Sequence, residues 1–333
     1  MGYCSFAVNN YFPIFDWSKK RGDISLTDPR RTCRNRTTKS TMLKLYRKYL
    51  CTFFLSLALG YSHAQAPTQP SLLWKIEGKN LPAPSYLYGT IHLICPTDFV
   101  MSDTLKGCLK QTRQLVLEID MDDPGMMMAM ARSMMMQDNK QLKDLVSQPD
   151  YERLTVYFKD SVGLNIVPFE RAKPFVLMSI LLNRVLTCQP QSYELSLMNL
   201  ARQQQAEVLG LETVEEQMAV FDSIPYTDQA RMVVALMDSL PQARKEFGKM
   251  VELYRQQNLQ GLYALTLKSE FELENQQEIL LNKRNRKWIP LLEEEMAEKP
   301  TFVAVGAAHL AGEQGVIALL RKQGYTLTPI LAR

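Results

Sequence analysis

The stretch Phe302-Val-Ala-Val-Gly306-Ala-Ala-His309-Leu-Ala-Gly312, near the end of the chain, decides how the rest of the sequence is interpreted. Its first residues are apolar and β-branched or aromatic, and a glycine interrupts the apolar run on either side of the histidine. This pattern predicts a buried strand that ends in a glycine turn and presents His309.

The same local pattern occurs a second time, 217 residues earlier, in Tyr86-Leu-Tyr-Gly89-Thr-Ile-His92. Both copies are short apolar strands followed by Gly-x-x-His. The third histidine of the chain, His63, lies in a predicted targeting segment. His92 and His309 are therefore the only histidines of the predicted mature chain, and their shared setting is the main indication of function.

The first 66 residues differ in charge from the rest of the chain. They contain 11 of the 39 basic residues and 3 of the 35 acidic ones, which leaves 28 basic and 32 acidic residues for positions 67–333, a net charge of about −4. Because this larger part is mildly acidic, we do not expect it to bind nucleic acid.

Residues 42–66 are predicted to be a signal peptide. A basic start is followed by an apolar centre from Leu50 to Leu59 and by the small-residue cleavage site Ala64-Gln65-Ala66. The apolar run is too short for a comfortable membrane span. We therefore expect an exported protein, periplasmic or secreted, with no stable transmembrane span after cleavage. An uncleaved signal that keeps the protein at the membrane is the alternative.

Residues 1–41 are basic and irregular, and we interpret them as an upstream extension of the reading frame that is not part of the fold. A disordered leader is the alternative. Residues 67–333 are then a single folded domain.

The mature chain is predicted to have an α/β fold. Residues 71–78 and 85–91 indicate a hairpin, and a helix at about 102–111 followed by a strand at 114–120 adds a parallel βαβ unit. Residues 302–331 form a second unit of this type. Helical periodicity fills the region from about 124 to 300, with a strand near 207–212. The prediction is a mixed central sheet built from two related βαβ-type halves, with a large helical insertion.

Two carboxylates lie at the carboxyl ends of predicted strands. Glu118 ends the strand that follows His92, and Glu212 repeats the pattern in the short strand inside the helical region. Ligands of open parallel sheets bind beyond the carboxyl ends of the strands, where His92 and Glu118 would both lie. The neighbouring pair Thr213 and Glu216 has the capping-box spacing, so we expect it to cap a helix.

Two histidines and one or two carboxylates at strand ends are the ligand types of a borderline divalent metal. Such an ion lowers the pKa of a bound water and polarises a carbonyl, and a remaining glutamate can act as general base. The chain has no H-E-x-x-H helix, no G-x-S-x-G elbow and no Walker A loop, so the sequence does not support an ordinary zincin, α/β-hydrolase or P-loop mechanism.

The methionine-rich segment, the basic run near residue 285 and the cysteines can each be interpreted in more than one way. The seven methionines within residues 126–136 favour a buried or groove-lining helix over a soft-metal site, because no histidine or cysteine is close in sequence. The basic run at 282–288 is either a solvated helix face or a segment from which Arg284 or Asn285 reaches into the site to hold an oxygen. A single disulfide, if one forms, is expected between Cys95 and Cys108.

At these positions the sequence resembles the TraB/GumN family, which includes the Tiki-like metalloproteases. The matching segments are Leu73-Trp-Lys-Ile76, Tyr88-Gly-Thr-Ile-His-Leu93, Val116-Leu-Glu-Ile-Asp120, Gly210-Leu-Glu-Thr213 with Gln217, Arg284-Asn-Arg-Lys-Trp288 and Val305-Gly-Ala-Ala-His-Leu310. The resemblance covers nearly all of residues 72–331. It implies a two-repeat α/β core with a helical insertion, and a site built from both Gly-x-x-His motifs and the strand-end glutamate.

The resemblance also implies proteolysis that depends on a divalent ion such as manganese or cobalt, with zinc as a further candidate. Carried over by position, His92, His309 and Glu118 are the expected metal ligands or catalytic groups. Glu212 is a further candidate ligand, and Arg284 with Asn285 is expected to contact the substrate.

Three functions are consistent with the sequence. The first is an exported metal-dependent hydrolase, most simply a peptidase that acts on a peptide or protein substrate. The second is a metal-free hydrolase in which a histidine activates water. The third is an exported protein that binds a peptide or another ligand without cleaving it.

Overall fold

A six-stranded mixed sheet forms the centre of the computed structural model, which describes residues 70–267 and 277–331. In chain order the strands are β1 (Leu73–Glu77), β2 (Ser85–Thr90), β3 (Gln114–Ile119), β4 (Glu207–Glu212), β5 (Thr301–Gly306) and β6 (Thr326–Ile330). Their order in the sheet is β4-β3-β5-β2-β1-β6. Strand β1 pairs antiparallel with both neighbours, whereas the other pairings are parallel.

The described part of the chain also contains ten α-helices, some packed on the sheet and others on one another. They are α1 (Asp103–Lys110), α2 (Met126–Ser133), α3 (Gln148–Tyr157), α4 (Pro174–Val185), α5 (Tyr193–Gln203), α6 (Val214–Asp222), α7 (Tyr226–Arg255), α8 (Leu259–Leu267), α9 (Lys283–Glu298) and α10 (Val316–Lys322). Over residues 70–267 and 277–331, no helix combines the length and apolar character that a membrane crossing needs. The predicted extension at 1–41 and signal peptide at 42–66 lie outside the described residues.

The predicted α/β class is confirmed, and the strand order adds a feature that the sequence pattern did not reveal. Strands β2 and β3 are parallel, as expected for a βαβ unit, but β5 from the carboxyl-terminal half lies between them. The connection through α10 then crosses β2 and β1, so β6 pairs with β1 at the edge. The strands that precede the two Gly-x-x-His motifs are therefore direct neighbours.

Burial explains why β2 and β5 are so apolar. Every residue of both strands is buried, which is the pattern expected of central parallel strands covered on both faces. The sheet core, defined here as the apolar cluster around the strands, includes Trp74 and Phe302 from the sheet, Leu197 from α5 and Trp288 from α9. It holds the ends of β2 and β5 in a fixed position.

A second apolar cluster, called here the helical core, is formed by helices of the insertion. It includes Phe158, Phe175, Leu181, Phe221 and Val233. The predicted methionine-rich helix is only partly buried: Met130 packs in the helical core, whereas Met127 and Met128 are 63% and 59% exposed.

Helix α7 connects the two cores. Its amino-terminal half contributes Leu236 to the helical core, and its carboxyl-terminal half contributes Tyr254 to the sheet core. The helix is kinked at Ser239, where the backbone leaves helical geometry just before Pro241. Proline lacks a backbone N–H and clashes with the preceding turn, which accounts for the kink.

The predicted disulfide between Cys95 and Cys108 is wrong. Cys95 is bonded to Cys188, and Cys108 is a buried free thiol. Helix α1 places Cys108 on the same buried face as Leu105 and Leu109, so its side chain packs in the sheet core. Cys95 instead lies in the segment after β2, where Ile94 forms an antiparallel bridge with Gln191.

We predict that reduction of the Cys95–Cys188 bond lowers the free energy of unfolding by about 2–5 kcal/mol, since it releases a long loop in the unfolded chain. The residues are 93 positions apart. Urea unfolding with and without a thiol reductant measures the change. A Cys95→Ser/Cys188→Ser variant is the control and should not respond to the reductant. Peptide mapping that finds Cys108 in a disulfide would contradict the assignment.

Candidate active site

The two Gly-x-x-His motifs lie side by side at the carboxyl ends of β2 and β5. Gly89 is paired with Val305, and Thr90 with Gly306. His92 follows two residues after the end of β2, and His309 closes the short 3₁₀ turn that follows β5. Two segments that are distant in sequence thus lie next to each other at the carboxyl ends of two central strands, where open parallel sheets bind their ligands.

The glycine of the first motif permits close contact with the second. A Cβ atom at Gly89 would lie 3.1 Å from the Cα atom of Ala307 and 3.1 Å from a methyl carbon of Leu310. These separations are tighter than ordinary van der Waals contact. Glycine therefore fits this position well, since any larger residue would press against Ala307 and Leu310 of the other motif.

His309 is fully buried and held by Asn285. The Nδ1 atom of His309 lies 2.6 Å from Asn285 Oδ1, while the Asn285 amide group donates to the backbone oxygens of Gln314 (2.8 Å) and His309 (3.3 Å). This amide orientation leaves Oδ1 as an acceptor, so Nδ1 of His309 carries the proton and Nε2 carries the lone pair. Burial lowers the pKa of His309 to about 3, which keeps the ring neutral.

Arg284 is the centre of a buried ionic cluster. Its Nε donates to both oxygens of Glu212 at 3.0 Å, and Nη2 donates to Glu118 (2.7 Å) and Glu212 (2.8 Å). Its Nη1 donates to the carbonyl of Leu280 (3.1 Å) and to Nε2 of His309 (3.2 Å). All five N–H groups of the guanidinium are used. Of the two predicted alternatives for this basic segment, the structure has Arg284 and Asn285 inside the site.

Glu118 connects this cluster to the second motif. Its Oε1 accepts from the backbone N–H of Gly306 at 2.8 Å and lies 4.0 Å from His309 Nε2. Its Oε2 accepts from Gln217 at 3.3 Å as well as from Arg284. Burial raises the pKa of Glu118, but the charge of Arg284 and these donors outweigh it and hold the pKa well below the usual range. Glu118 is therefore ionised.

Glu212 has a different environment from Glu118. In this structure both of its carboxylate oxygens face Arg284. The capping box that follows it is confirmed, because Thr213 Oγ1 accepts from the backbone N–H of Glu216 and Glu216 accepts from that of Thr213. Glu212 thus ends β4 as the second carboxylate of the ionic cluster.

His92 is paired with Glu194, which the sequence analysis did not single out. His92 Nδ1 lies 2.8 Å from Glu194 Oε1. Burial lowers the pKa of His92, but the charge of Glu194 and this hydrogen bond prevail and raise it to about 9. The nearby charges of Glu118 and Arg284 also act on this pKa, which brings both motif histidines into one electrostatic cluster. The only local signal for Glu194 was Ser192 two residues earlier, a pattern typical of an ordinary helix start.

A small cavity of about 30 Å³ lies beside His92 and is lined by Thr90, Gly306 and Ala307. A volume of this size can hold one ordered water. Tyr254, at the end of α7, also lines it and donates its hydroxyl proton to the Gly89 carbonyl at 3.1 Å. Tyr254 also lines a larger cavity, of about 260 Å³.

The donors of the site fit a divalent metal in their chemistry. His92 Nε2 is buried and has no hydrogen-bond partner among residues 70–267 and 277–331, while an acceptor holds Nδ1 of each motif histidine. Metal-bound histidines typically have their other nitrogen held in this way. As the side chains are arranged, no three His, Cys, Asp or Glu residues of the described chain converge on one ion position. Arg284 donates to His309 Nε2, so an ion bound there would replace that hydrogen bond.

Comparison with known proteins gives a consistent family assignment. The model of the TraB/PrgY/gumN family matches residues 72–329. Among curated proteins, the chain is similar to Metalloprotease TIKI1 of Homo sapiens, at 26% identity over 314 residues that cover 77% of this chain and 61% of the relative. The corresponding values for Metalloprotease TIKI1 of Danio rerio are 24% over 314 residues, 77% and 62%.

Metalloprotease TIKI2 of Xenopus tropicalis is 23% identical over 316 residues, which cover 77% of this chain and 59% of the relative. The chain thus spans about three fifths of the length of these curated relatives. The search of solved structures gave no match.

We predict that Arg284→Ala lowers the free energy of unfolding by about 3–5 kcal/mol, because it leaves two buried carboxylates without their cation. Arg286→Ala is the matched control from the same helix, since Arg286 pairs with Glu278 at the surface. It should change stability little. Urea unfolding measures both changes. Equal losses in the two variants would contradict the buried ionic cluster.

Unfolding measured across pH in the presence of a chelator should show opposite effects of the two histidines. The pKa of His92 is raised to about 9 from its ordinary value of 6.5. The contribution of His92 to the free energy of unfolding is therefore complete below pH 6.5 and is lost as the pH rises through 9. The pKa of His309 is lowered to about 3. The contribution of His309 to the free energy of unfolding is therefore complete above pH 6.5 and is lost as the pH falls towards 3.

His92→Gln should therefore flatten the alkaline side of the stability profile, and His309→Gln the acidic side. Because the pKa of Glu118 is lowered, both variants should also lose stability as the pH falls below 4.5, the ordinary pKa of that carboxyl group. Identical profiles for the two variants would show that the environments of the histidines do not differ as described.

Proposed function

The chain belongs to the TraB/PrgY/gumN family, and we propose that it is an exported, metal-dependent hydrolase that cleaves amide bonds in peptides or proteins. Relatives at 23–26% identity carry the name metalloprotease, which supports this class of reaction. The mildly acidic composition of residues 67–333 gives no support to a nucleic-acid substrate.

One observation carries the proposal: the two Gly-x-x-His motifs lie side by side on neighbouring strands, and the charge of the ionised Glu118 acts on both of their histidines. Each histidine has an acceptor on Nδ1. Nε2 of His92 has no hydrogen-bond partner in the described part of the chain, whereas Nε2 of His309 accepts from Arg284. Glu118 lies 4.0 Å from Nε2 of His309. This combination of imidazole and carboxylate donors at the ends of parallel strands is typical of a hydrolytic metal site.

The residues that would hold a divalent ion are His92 and His309, through Nε2, and Glu118, through its carboxylate. Glu212 is a further carboxylate donor within the cluster. Nitrogen and oxygen donors of this kind suit Mn²⁺, Co²⁺ or Zn²⁺. When bound, such an ion lowers the pKa of a water molecule and polarises a substrate carbonyl.

The other groups of the cluster position these donors. Asn285 fixes the Nδ1 proton of His309 and so determines which nitrogen faces the site. Arg284 already donates all its N–H groups, so we assign to it the orientation of Glu118 and His309. Contact of Arg284 or Asn285 with a substrate oxygen would replace one of these hydrogen bonds.

Glu118 is ionised at neutral pH, because the charge of Arg284 outweighs burial and holds its pKa low. The carboxylate can therefore bind an ion or orient a water molecule by accepting its hydrogen bond, whereas a pKa this low makes it a weak acceptor of the proton itself. Without an ion, His92 is protonated, because the charge of Glu194 outweighs burial and raises its pKa to about 9. Binding of an ion through Nε2 would release this proton.

To test the proposal, the full chain is freed of metal with a chelator and incubated with a mixture of unstructured peptides, with and without added Mn²⁺, Co²⁺ or Zn²⁺. New amino termini are identified by mass spectrometry. We expect cleavage to require the ion and to fall by about 100-fold or more in His309→Ala and Glu118→Gln, because each loses a donor of the site. Arg286→Ala, a surface variant, should keep full activity.

Other outcomes would identify a different function. Cleavage that resists the chelator but needs His92 or His309 would indicate a metal-free hydrolase. Saturable peptide binding without cleavage, retained in Glu118→Gln, would indicate a binding protein. Unchanged cleavage in His309→Ala would rule out the proposed site.

A further inference from the structure

Glu194 lies outside both Gly-x-x-His motifs, but its carboxylate accepts hydrogen bonds from two residues of the first motif, Thr90 and His92. We propose that it is the positioning residue that orients the imidazole of His92 and directs its Nε2 into the site. The inference deepens the proposed function, because it assigns a partner to one of the two histidines that would bind the metal.

The carboxylate of Glu194 is fixed from three sides. Its Oε1 accepts from His92 Nδ1 at 2.8 Å and from the Thr90 hydroxyl at 2.6 Å, and its Oε2 accepts from the Ser192 hydroxyl at 2.7 Å. The residue is 9% exposed. With both oxygens engaged and little room to move, Glu194 holds the Nδ1–H of His92 in one direction. His92 Nε2 is the ring nitrogen without a partner in the described part of the chain, and His92 lines the small cavity shared with Gly306 and Ala307 of the second motif.

The backbone next to Glu194 is fastened to the segment that contains His92. Ile94 and Gln191 exchange two backbone hydrogen bonds, of 3.1 and 2.8 Å, and the Cys95–Cys188 bond joins the same two segments. His92 lies two residues before Ile94, and Glu194 lies three residues after Gln191. The backbone bridge and the disulfide together fix the distance between the segments that carry His92 and Glu194.

The two motif histidines differ in the charge of their partner. His309 faces the neutral Oδ1 atom of Asn285, whereas His92 faces a carboxylate. A carboxylate partner makes an imidazole ligand more basic than an amide partner does. His92 should therefore be the stronger donor of the pair, and its strength should depend on Glu194.

Two variants separate the hydrogen bond from the charge. Glu194→Gln keeps an oxygen that can accept from His92 Nδ1, whereas Glu194→Ala removes the acceptor. Glu170→Ala is the matched control, since Glu170 is a half-buried carboxylate that accepts a hydrogen bond from Tyr151 elsewhere in the helical insertion. Circular dichroism of each full-length variant verifies folding.

The first readout is the imidazole spectrum of the metal-free full chain by ¹⁵N NMR. The chain has three histidines, so the signals of His92 are identified by their loss in His92→Gln. We expect a slowly exchanging proton on Nδ1 of His92 in the unmodified protein, in Glu194→Gln and in Glu170→Ala. This proton should exchange rapidly in Glu194→Ala.

The second readout is the affinity for Co²⁺, measured by absorption titration. We expect Glu194→Ala to weaken Co²⁺ binding by about 10–100-fold, the usual effect of losing such a partner, and Glu194→Gln to recover part of that loss. Glu170→Ala should bind as the unmodified protein does. A purely structural role of Glu194 would not give this ordered recovery.

The inference is overturned if His92 of the unmodified protein has no protected Nδ1 proton, or if the two Glu194 variants bind Co²⁺ as tightly as Glu170→Ala does. If the unmodified protein does not bind Co²⁺, the metal-dependent function loses its support, and the NMR readout alone decides the role of Glu194. If Glu194→Ala does not fold, the unmodified protein and Glu194→Gln supply the decisive spectra: a protected Nδ1 proton in both supports the inference, and its absence overturns it.

Discussion

The burial of one guanidinium between two carboxylates is the interaction on which the rest of the site depends. Removing charges from water is costly, and the cost is offset only where every donor and acceptor is satisfied. Arg284 meets this condition with groups from separate parts of the fold: Glu118 from β3, Glu212 from β4 and His309 from the turn after β5. The relative positions of three strand ends and of helix α9 are thereby fixed together, so the geometry of the site and the order of the sheet are parts of one arrangement.

The duplicated motif produces two similar backbones with dissimilar surroundings. Both histidines follow a glycine at the end of a buried parallel strand, and the close contact of Gly89 with Ala307 brings the two turns together. The partners of the rings come from different helices, Asn285 on α9 and Glu194 on α5. Burial lowers the pKa of both rings, and it is outweighed only in His92 by the charge of its partner Glu194, so the two pKa values lie on opposite sides of neutrality. The same four-residue pattern therefore supplies groups of different acidity.

Local patterns were sufficient to predict the strands, the helical insertion and the position of His92, Glu118 and His309 at strand ends. Alternation, glycine turns and apolar runs are properties of neighbouring residues. Local patterns did not predict that β5 lies between β2 and β3, because strand order depends on contacts between distant segments. Glu194 is 102 positions from His92 and looks like an ordinary first-turn acid. The pairing of Cys95 with Cys188 depended on which face of α1 is buried. The resemblance to a known family indicated the site residues, whereas their protonation and their partners required coordinates.

Because helix α7 contacts both the helical core and the first motif, its packing can influence how proteins with this fold diverge. Its first half is packed among the helices of the insertion, and its last turn carries Tyr254, which bonds to the backbone of the first motif and lines the cavity beside His92. A substitution that shifts the packing around Leu236 can reach the wall of that cavity through this one helix, across its kink at Ser239. On the proposed function, substrate preference can therefore change over evolution through residues that never touch a substrate, while the histidines and carboxylates of the site stay the same.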